Sequence, residues 1–197
     1  MQRKNFLSTK QPVESQASKM TIKKELHLFK SARVMTCAAL FVALSIVLGK
    51  YVSVTFGAFR FSLENLTVLM AGIFFGPVCG MTVGLTADII GSILVGYTIN
   101  PIIAVGAASI GLVSGFVFHY SGVKNRTASM ILSVACAHII GSVLIKSFGL
   151  YVYYAYTIPV LALRIPLYLV IGFVECFIII RFLKNRSFSK DIERMLN

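Results

Sequence analysis

Arg60, Glu64, Asn65, Lys146 and Arg164 are polar or charged residues set in or beside apolar stretches, and they are the side chains most able to do chemistry in this chain. Arg164 stands within LALRIPLYL, where an unpaired guanidinium is costly, so it must face a polar cavity or a partner acid. Its planar fork suits bidentate pairing with a carboxylate. Arg60, between Phe59 and Phe61, combines the same charge with aromatic neighbours, and a loop carrying it could close over a ligand that has both a flat ring and an acid group. Tyr97, Asn100 and Tyr154, with Tyr151 and Tyr153, add stacking and hydrogen-bonding groups of the right kinds.

Recognition, not catalysis, is the chemistry these residues suggest. No GxxxxGK[ST] phosphate loop is present, since Gly49-Lys50 lacks the upstream glycine and the following Ser or Thr. No HExxH, GxSxG or clustered carboxylate pair indicates an enzyme, so no catalytic residue, metal or cofactor is assigned. Asp88 and Glu175 are acids deep in apolar runs, and each has two readings. Asp88 either receives a polar ligand group or proton, or accepts hydrogen bonds from Thr82, Thr86 or a neighbouring helix. Glu175 is read first as pairing with a cation from another span; a membrane enzyme using both acids would need them to converge on one cavity. His138 reads as a hydrogen-bonded histidine at a helix interface. Cys37, Cys79, Cys136 and Cys176 lie apart in separate apolar regions and read as small buried residues.

The elements that must position these residues are membrane helices. A chain that is 57% hydrophobic and 13% charged, with mean hydropathy +0.83, is too apolar for a soluble domain of 197 residues. The reading is an all-α integral membrane protein, a compact bundle of six transmembrane helices over 32–183, between a polar tail at 1–31 and a basic tail at 184–197. The segment TIKKELHLFK at 21–30 is either a short surface helix or part of a mobile tail, and the run from Val34 reads as a retained helix. The spans are placed at about Ala32 to Val52, Leu63 to Val78, Cys79 to Val95, Pro101 to Tyr120, Ala128 to Phe148 and Ile158 to Leu183. Gly76-Pro77 hinges the second and third into a tight hairpin, and Pro159 and Pro166 start or kink the sixth.

The +12 net charge sits largely at the chain ends, which argues against nucleic acid as a partner and, by the positive-inside rule, puts both termini in the cytoplasm. Lys50, Arg60, Lys146 and Arg164 then fall on the outer side, where cations should be depleted. Either an anionic ligand arrives from outside, or some of them snorkel to lipid head groups.

Ala39 and Ala43 share a face of the first span, and Gly76, Gly80, Gly84, Asp88 and Ser92 recur at intervals of four through the third. Such spacing lets another helix approach closely, either inside the bundle or on a partner. We carry Ala39, Ala43, Gly80 and Gly84 as a candidate partner interface.

ARVMTCAALFVALSIVL, RFSLENL, AGIFFGPVCGMTVGLTADIIGSIL and LRIPLYLVIG together resemble the substrate-binding S components of energy-coupling factor (ECF) vitamin transporters, most closely the folate type. The resemblance implies a six-helix protein of the prokaryotic cytoplasmic membrane that captures a vitamin in an outward-opening pocket, capped by the connection between the first two spans. It implies a transmembrane coupling protein, met by the face of Ala39 and Ala43, and two ATP-binding cassette subunits that use the ATP. Folate, a flat pterin with two carboxylates on its tail, agrees with Arg60, Phe61, Glu64, Asn65, Tyr97, Asn100, Lys146, Tyr154 and Arg164 as substrate-binding residues. An S component for pantothenate or riboflavin, or a membrane scaffold that binds only partners, are the competing readings.

Overall fold

The computed structural model describes residues 31–56 and 59–184. The tails, including the segment at 21–30, lie outside the described residues apart from Ser31 and the backbone of Lys184, as do the side chains of Thr55, Phe56, Phe59 and Lys184. The chain opens with α1 (Ala32–Ile46), which continues in a π-helical turn, Val47–Tyr51. A short antiparallel hairpin follows, β1 (Val54–Phe56) and β2 (Phe59–Phe61), with Thr55 opposite Arg60. Then come α2 (Glu64–Phe75), α3 (Pro77–Leu94) and α4 (Pro101–Tyr120). The fifth column joins α5 (Arg126–Ala137), a π-helical segment (His138–Ile145) and α6 (Lys146–Tyr154). The sixth joins α7 (Ile158–Ala162) to α8 (Arg164–Lys184).

Among the described residues, six helical columns thus stand where the apolar runs predict them, and five are long and apolar enough to cross a membrane. The sixth, α2, has 12 residues and rises only about 18 Å, too little for a bilayer core. Every residue from Asn65 to Phe75 is nevertheless buried, so α2 is the central post around which the others pack, apolar on all sides because no side meets lipid or water. Large apolar side chains on the outer columns, such as Leu40, Phe116, Leu169, Phe173 and Phe177, are exposed, as a lipid-facing surface requires.

Local chemistry sets the breaks. Gly76 has φ +99°, a conformation that favours glycine, and Pro77 in the first turn of α3 gives up an N–H that would have no helical partner. The hinge therefore falls at Gly76-Pro77, as expected, and α3 begins at Pro77, two residues before the Cys79 at which the third span was placed. The fifth column extends to Tyr154, six residues past the expected Phe148, and ends at Ala155 in the left-handed region. Pro166 cannot donate to the carbonyl of Ala162, which breaks the last column at Leu163 and puts Arg164 at a helix start. The hairpin is a departure from an all-helical reading. Its β-branched and aromatic residues flank Gly57-Ala58, a strand pattern too short to stand out between apolar helices.

Small residues in α2, α3 and α4 are used inside the bundle. A Cβ on Gly80 would stand 2.5 Å from the carbonyl oxygen of Gly111, and one on Gly84 would press on the backbone of Ala107 and on Val68. Gly80 and Gly84 are buried by this close α3–α4 packing, which corrects their assignment to a partner interface. Ala39 and Ala43, by contrast, are exposed on α1.

Candidate functional site

At the end of the bundle where α1, α3 and α6 finish and α2, α4 and α8 begin lies a cavity of about 520 Å³. Its lining includes Lys50, Arg60, Glu64, Asp88, Tyr97, Asn100, Lys146, Tyr154 and Arg164. The volume is in the range of sites for small organic molecules.

Each charged group is held by a different element. Arg60 on β2 donates from Nε to Ser53 Oγ at 3.0 Å and from Nη2 to the carbonyl of Gly49, which fastens the hairpin to the end of α1. Lys146, 5% exposed at the start of α6, donates from Nζ to Glu64 Oε1 at 3.1 Å and to Asn65 Oδ1 at 3.4 Å. That ion pair ties the fifth column to the first turn of α2 and keeps a buried ammonium compensated. Lys50 Nζ lies 5.7 Å from the ring centroid of Tyr97. Asn100 caps α4, its Oδ1 accepting from the backbone N–H groups of Ile102 and Ile103 at 3.0 and 3.3 Å, while its buried Nδ2 has no hydrogen-bond partner among the described residues.

Arg164 donates from Nη2 to Tyr168 Oη at 3.0 Å and to the carbonyl of Ser142 at 3.5 Å, and its guanidinium lies 5.3 Å from the Tyr168 ring centroid. No carboxylate pairs with it among the described residues, and its buried Nη1 makes no hydrogen bond. Asp88 also lines the cavity, and its carboxylate forms no hydrogen bond or ion pair among the described residues. With four cations and two acids in the lining, the cavity has a formal excess of two positive charges. Unsatisfied donors beside that excess can take up the acceptor oxygens of an anion.

The expected site residues are therefore gathered in one place, with two exceptions. Phe61 is half-buried in β2 and does not line the cavity, because alternation along the strand sends it to the face opposite Arg60. Asn65 lies buried one layer beneath, under Lys146, and lines a second, water-sized cavity of about 20 Å³ with Glu64 and Asp88. Tyr151 and Tyr153 are exposed and line neither cavity. Sequence reasoning missed Ser92, Tyr156, Leu167 and Tyr168 in the lining. Tyr168 carried a usable signal, since it stands four residues after Arg164 on one helix. Glu175 is fully buried away from the cavity and bonded to His138 of the fifth column, so it does not converge with Asp88.

Fold and site together define a class: a multi-pass membrane protein with a cation-rich, ligand-sized cavity at one end of a helical bundle. The profile of the family described as "ECF transporter, substrate-specific component" matches residues 33–183, and the chain belongs to that family. Its members are substrate-binding parts of transport systems, not enzymes. The fold is similar to a solved structure described as "Crystal structure of FolT bound with folic acid", with a TM-score of 0.62 and 16% identity over 74% of this chain and 89% of that one. It is also similar to one described as "Structure and mechanism of the S component of a bacterial ECF transporter", with a TM-score of 0.59 and 20% identity over 78% of this chain and 98% of that one. No curated protein matches the sequence.

Proposed function

We propose that this chain is the folate-binding S component of an ECF-type vitamin uptake transporter in a prokaryotic cytoplasmic membrane. The observation that carries the reading is the cavity's excess of two cations, with Arg164 lacking any acid partner among the described residues and Tyr97, Tyr154, Tyr156 and Tyr168 in the same lining. Folate carries two carboxylates on its tail and a flat pterin at the other end, so it answers both features. In this reading both termini are cytoplasmic, the cavity opens outward, and the Arg60 hairpin covers its mouth. Energy comes from a transmembrane coupling protein and two ATP-binding cassette subunits, since the chain itself has no phosphate-binding loop. The exposed face of Ala39 and Ala43 is the surface offered to the coupling protein.

The test is the thermal stability of the detergent-purified, ligand-free protein against folate, pantothenate and riboflavin, because a ligand that binds only the folded state raises apparent stability with its saturation. A shift with folate alone supports the proposal. A shift with pantothenate or riboflavin alone replaces the substrate while keeping the transport role, and no shift with any panel member moves the reading to a scaffold.

A further inference from the structure

The bundle buries one more set of polar groups, which the cavity's own residues do not explain. Glu175 on α8 is 0% exposed and His138 4% exposed, and Glu175 lies 11 residues beyond Arg164, about 16 Å deeper along the helix. Helix packing in a membrane requires no such pair, and burying it is costly unless its hydrogen bonds are made. Apart from Glu175 Oε1, which has no hydrogen-bond partner among the described residues, they are made in a series that leads back to the cavity wall. His138 Nε2 lies 2.5 Å from Glu175 Oε2, and His138 Nδ1 lies 3.1 Å from Ser142 Oγ. Arg164 Nη2 then donates to the Ser142 carbonyl and to Tyr168 Oη, and the Tyr168 ring lies over the His138 ring, with centroids 5.5 Å apart at 32°.

His138, Ser142, Arg164 and Tyr168 thus form a closed circuit in which each touches the next, with Glu175 attached at the histidine. A carboxylate that accepts from Nε2–H leaves Nδ1 of a neutral imidazole to accept from the Ser142 hydroxyl, so Glu175 sets both the tilt and the tautomer of the ring. The π-helical segment His138–Ile145 supplies Ser142, and such widened turns redirect backbone and side-chain groups at functional sites. Only Nη2 of Arg164 is engaged in this circuit, and Nε and Nη1 form no hydrogen bond among the described residues.

We propose that the Glu175–His138 pair positions Arg164 for carboxylate recognition, by fixing Ser142 and Tyr168 so that they hold one guanidinium nitrogen and leave the others for an anion. The proposal rests on the reading of this cavity as an anion site. Two measurements on the full-length protein in detergent test it. The first needs no ligand: NMR of isotope-labelled arginine side chains, with the Arg164 signal assigned by its loss in Arg164→Lys. Slow guanidinium rotation is expected in the wild type and fast averaging in His138→Phe, which keeps a ring against Tyr168 but removes both nitrogens. An unchanged Arg164 signal overturns the proposal.

The second compares affinity for folate with that for its diamide, in which both tail carboxylates are neutral. His138→Phe should weaken folate at least tenfold and the diamide less than threefold, while Glu175→Gln, which keeps a hydrogen-bonding oxygen, leaves both within threefold of wild type. Equal losses for the two ligands would mean a merely structural role and overturn the proposal. Absence of folate binding by the wild type would overturn the folate reading, and the ligand-free measurement would still decide the positioning one. If His138→Phe does not fold, Ser142→Ala removes one hydroxyl and is read the same way, with at least a threefold selective loss of folate expected.

Discussion

Replacing Arg164 with Gln isolates the charge at the cavity wall from the stability of the bundle. Arg164 has no carboxylate partner among the described residues, so its removal strands no acid, and thermal stability without ligand should hold or rise. Binding should fall. A charge-assisted hydrogen bond is worth about 1.5–3 kcal/mol, and the half-buried setting of Arg164 argues for the lower part of that range. A loss of about 1.5–2 kcal/mol raises Kd about 10- to 30-fold. Arg164→Lys keeps the charge but not the fork that reaches Tyr168 and Ser142 at once, so a smaller loss of about three- to tenfold is expected. The chain has no tryptophan, so isothermal titration calorimetry with folate is the suitable assay. A folded Arg164→Gln variant with Kd within threefold of wild type would refute this account of the cavity.

Three further outcomes follow from the packing. Lys146→Met strands Glu64 and should cost about 2 kcal/mol in stability, less than the about 3–5 typical of a fully buried pair, because the Glu64 side chain keeps 28% exposure toward the cavity. Combined with Glu64→Gln the loss should be smaller than the sum of the two single changes, and strict additivity in thermal melts would show that the pair is not coupled. Gly80→Ala puts a methyl group against the Gly111 backbone, which cannot swing away, and should destabilise the apo-protein by about 1–3 kcal/mol; a wild-type melting curve would count against the packing described. Ala39→Leu and Ala43→Leu change exposed positions, so stability and folate affinity should stay at wild-type values while co-purification with a coupling protein declines. A change in ligand affinity with intact co-purification would assign that face another role.

The helical columns were legible because lipid-facing and buried helices both demand long apolar runs, and because Gly76-Pro77 and Pro166 end helices for reasons local to the backbone. Arg60, Lys146 and Arg164 were legible as a candidate set since isolated cations in apolar settings need a compensating environment. Phe61 falls outside the cavity lining because alternation along a three-residue strand decides its side, and the strand itself was not read. Gly80 and Gly84 were misjudged for a related reason: small-residue spacing says that some helix comes close, but not which one.

What the sequence determined by itself was the membrane, the number of helical columns and the presence of cations that require an explanation. The tertiary structure alone decided which groups meet. Lys146 and Glu64 are 82 residues apart in the chain and His138 and Glu175 are 37 apart, yet each pair is in hydrogen-bond contact. Such pairings depend on how whole helices rotate and slide against one another. That rotation is set by glycine contacts such as Gly80 on Gly111, which carry no charge and no chemistry to mark them in advance.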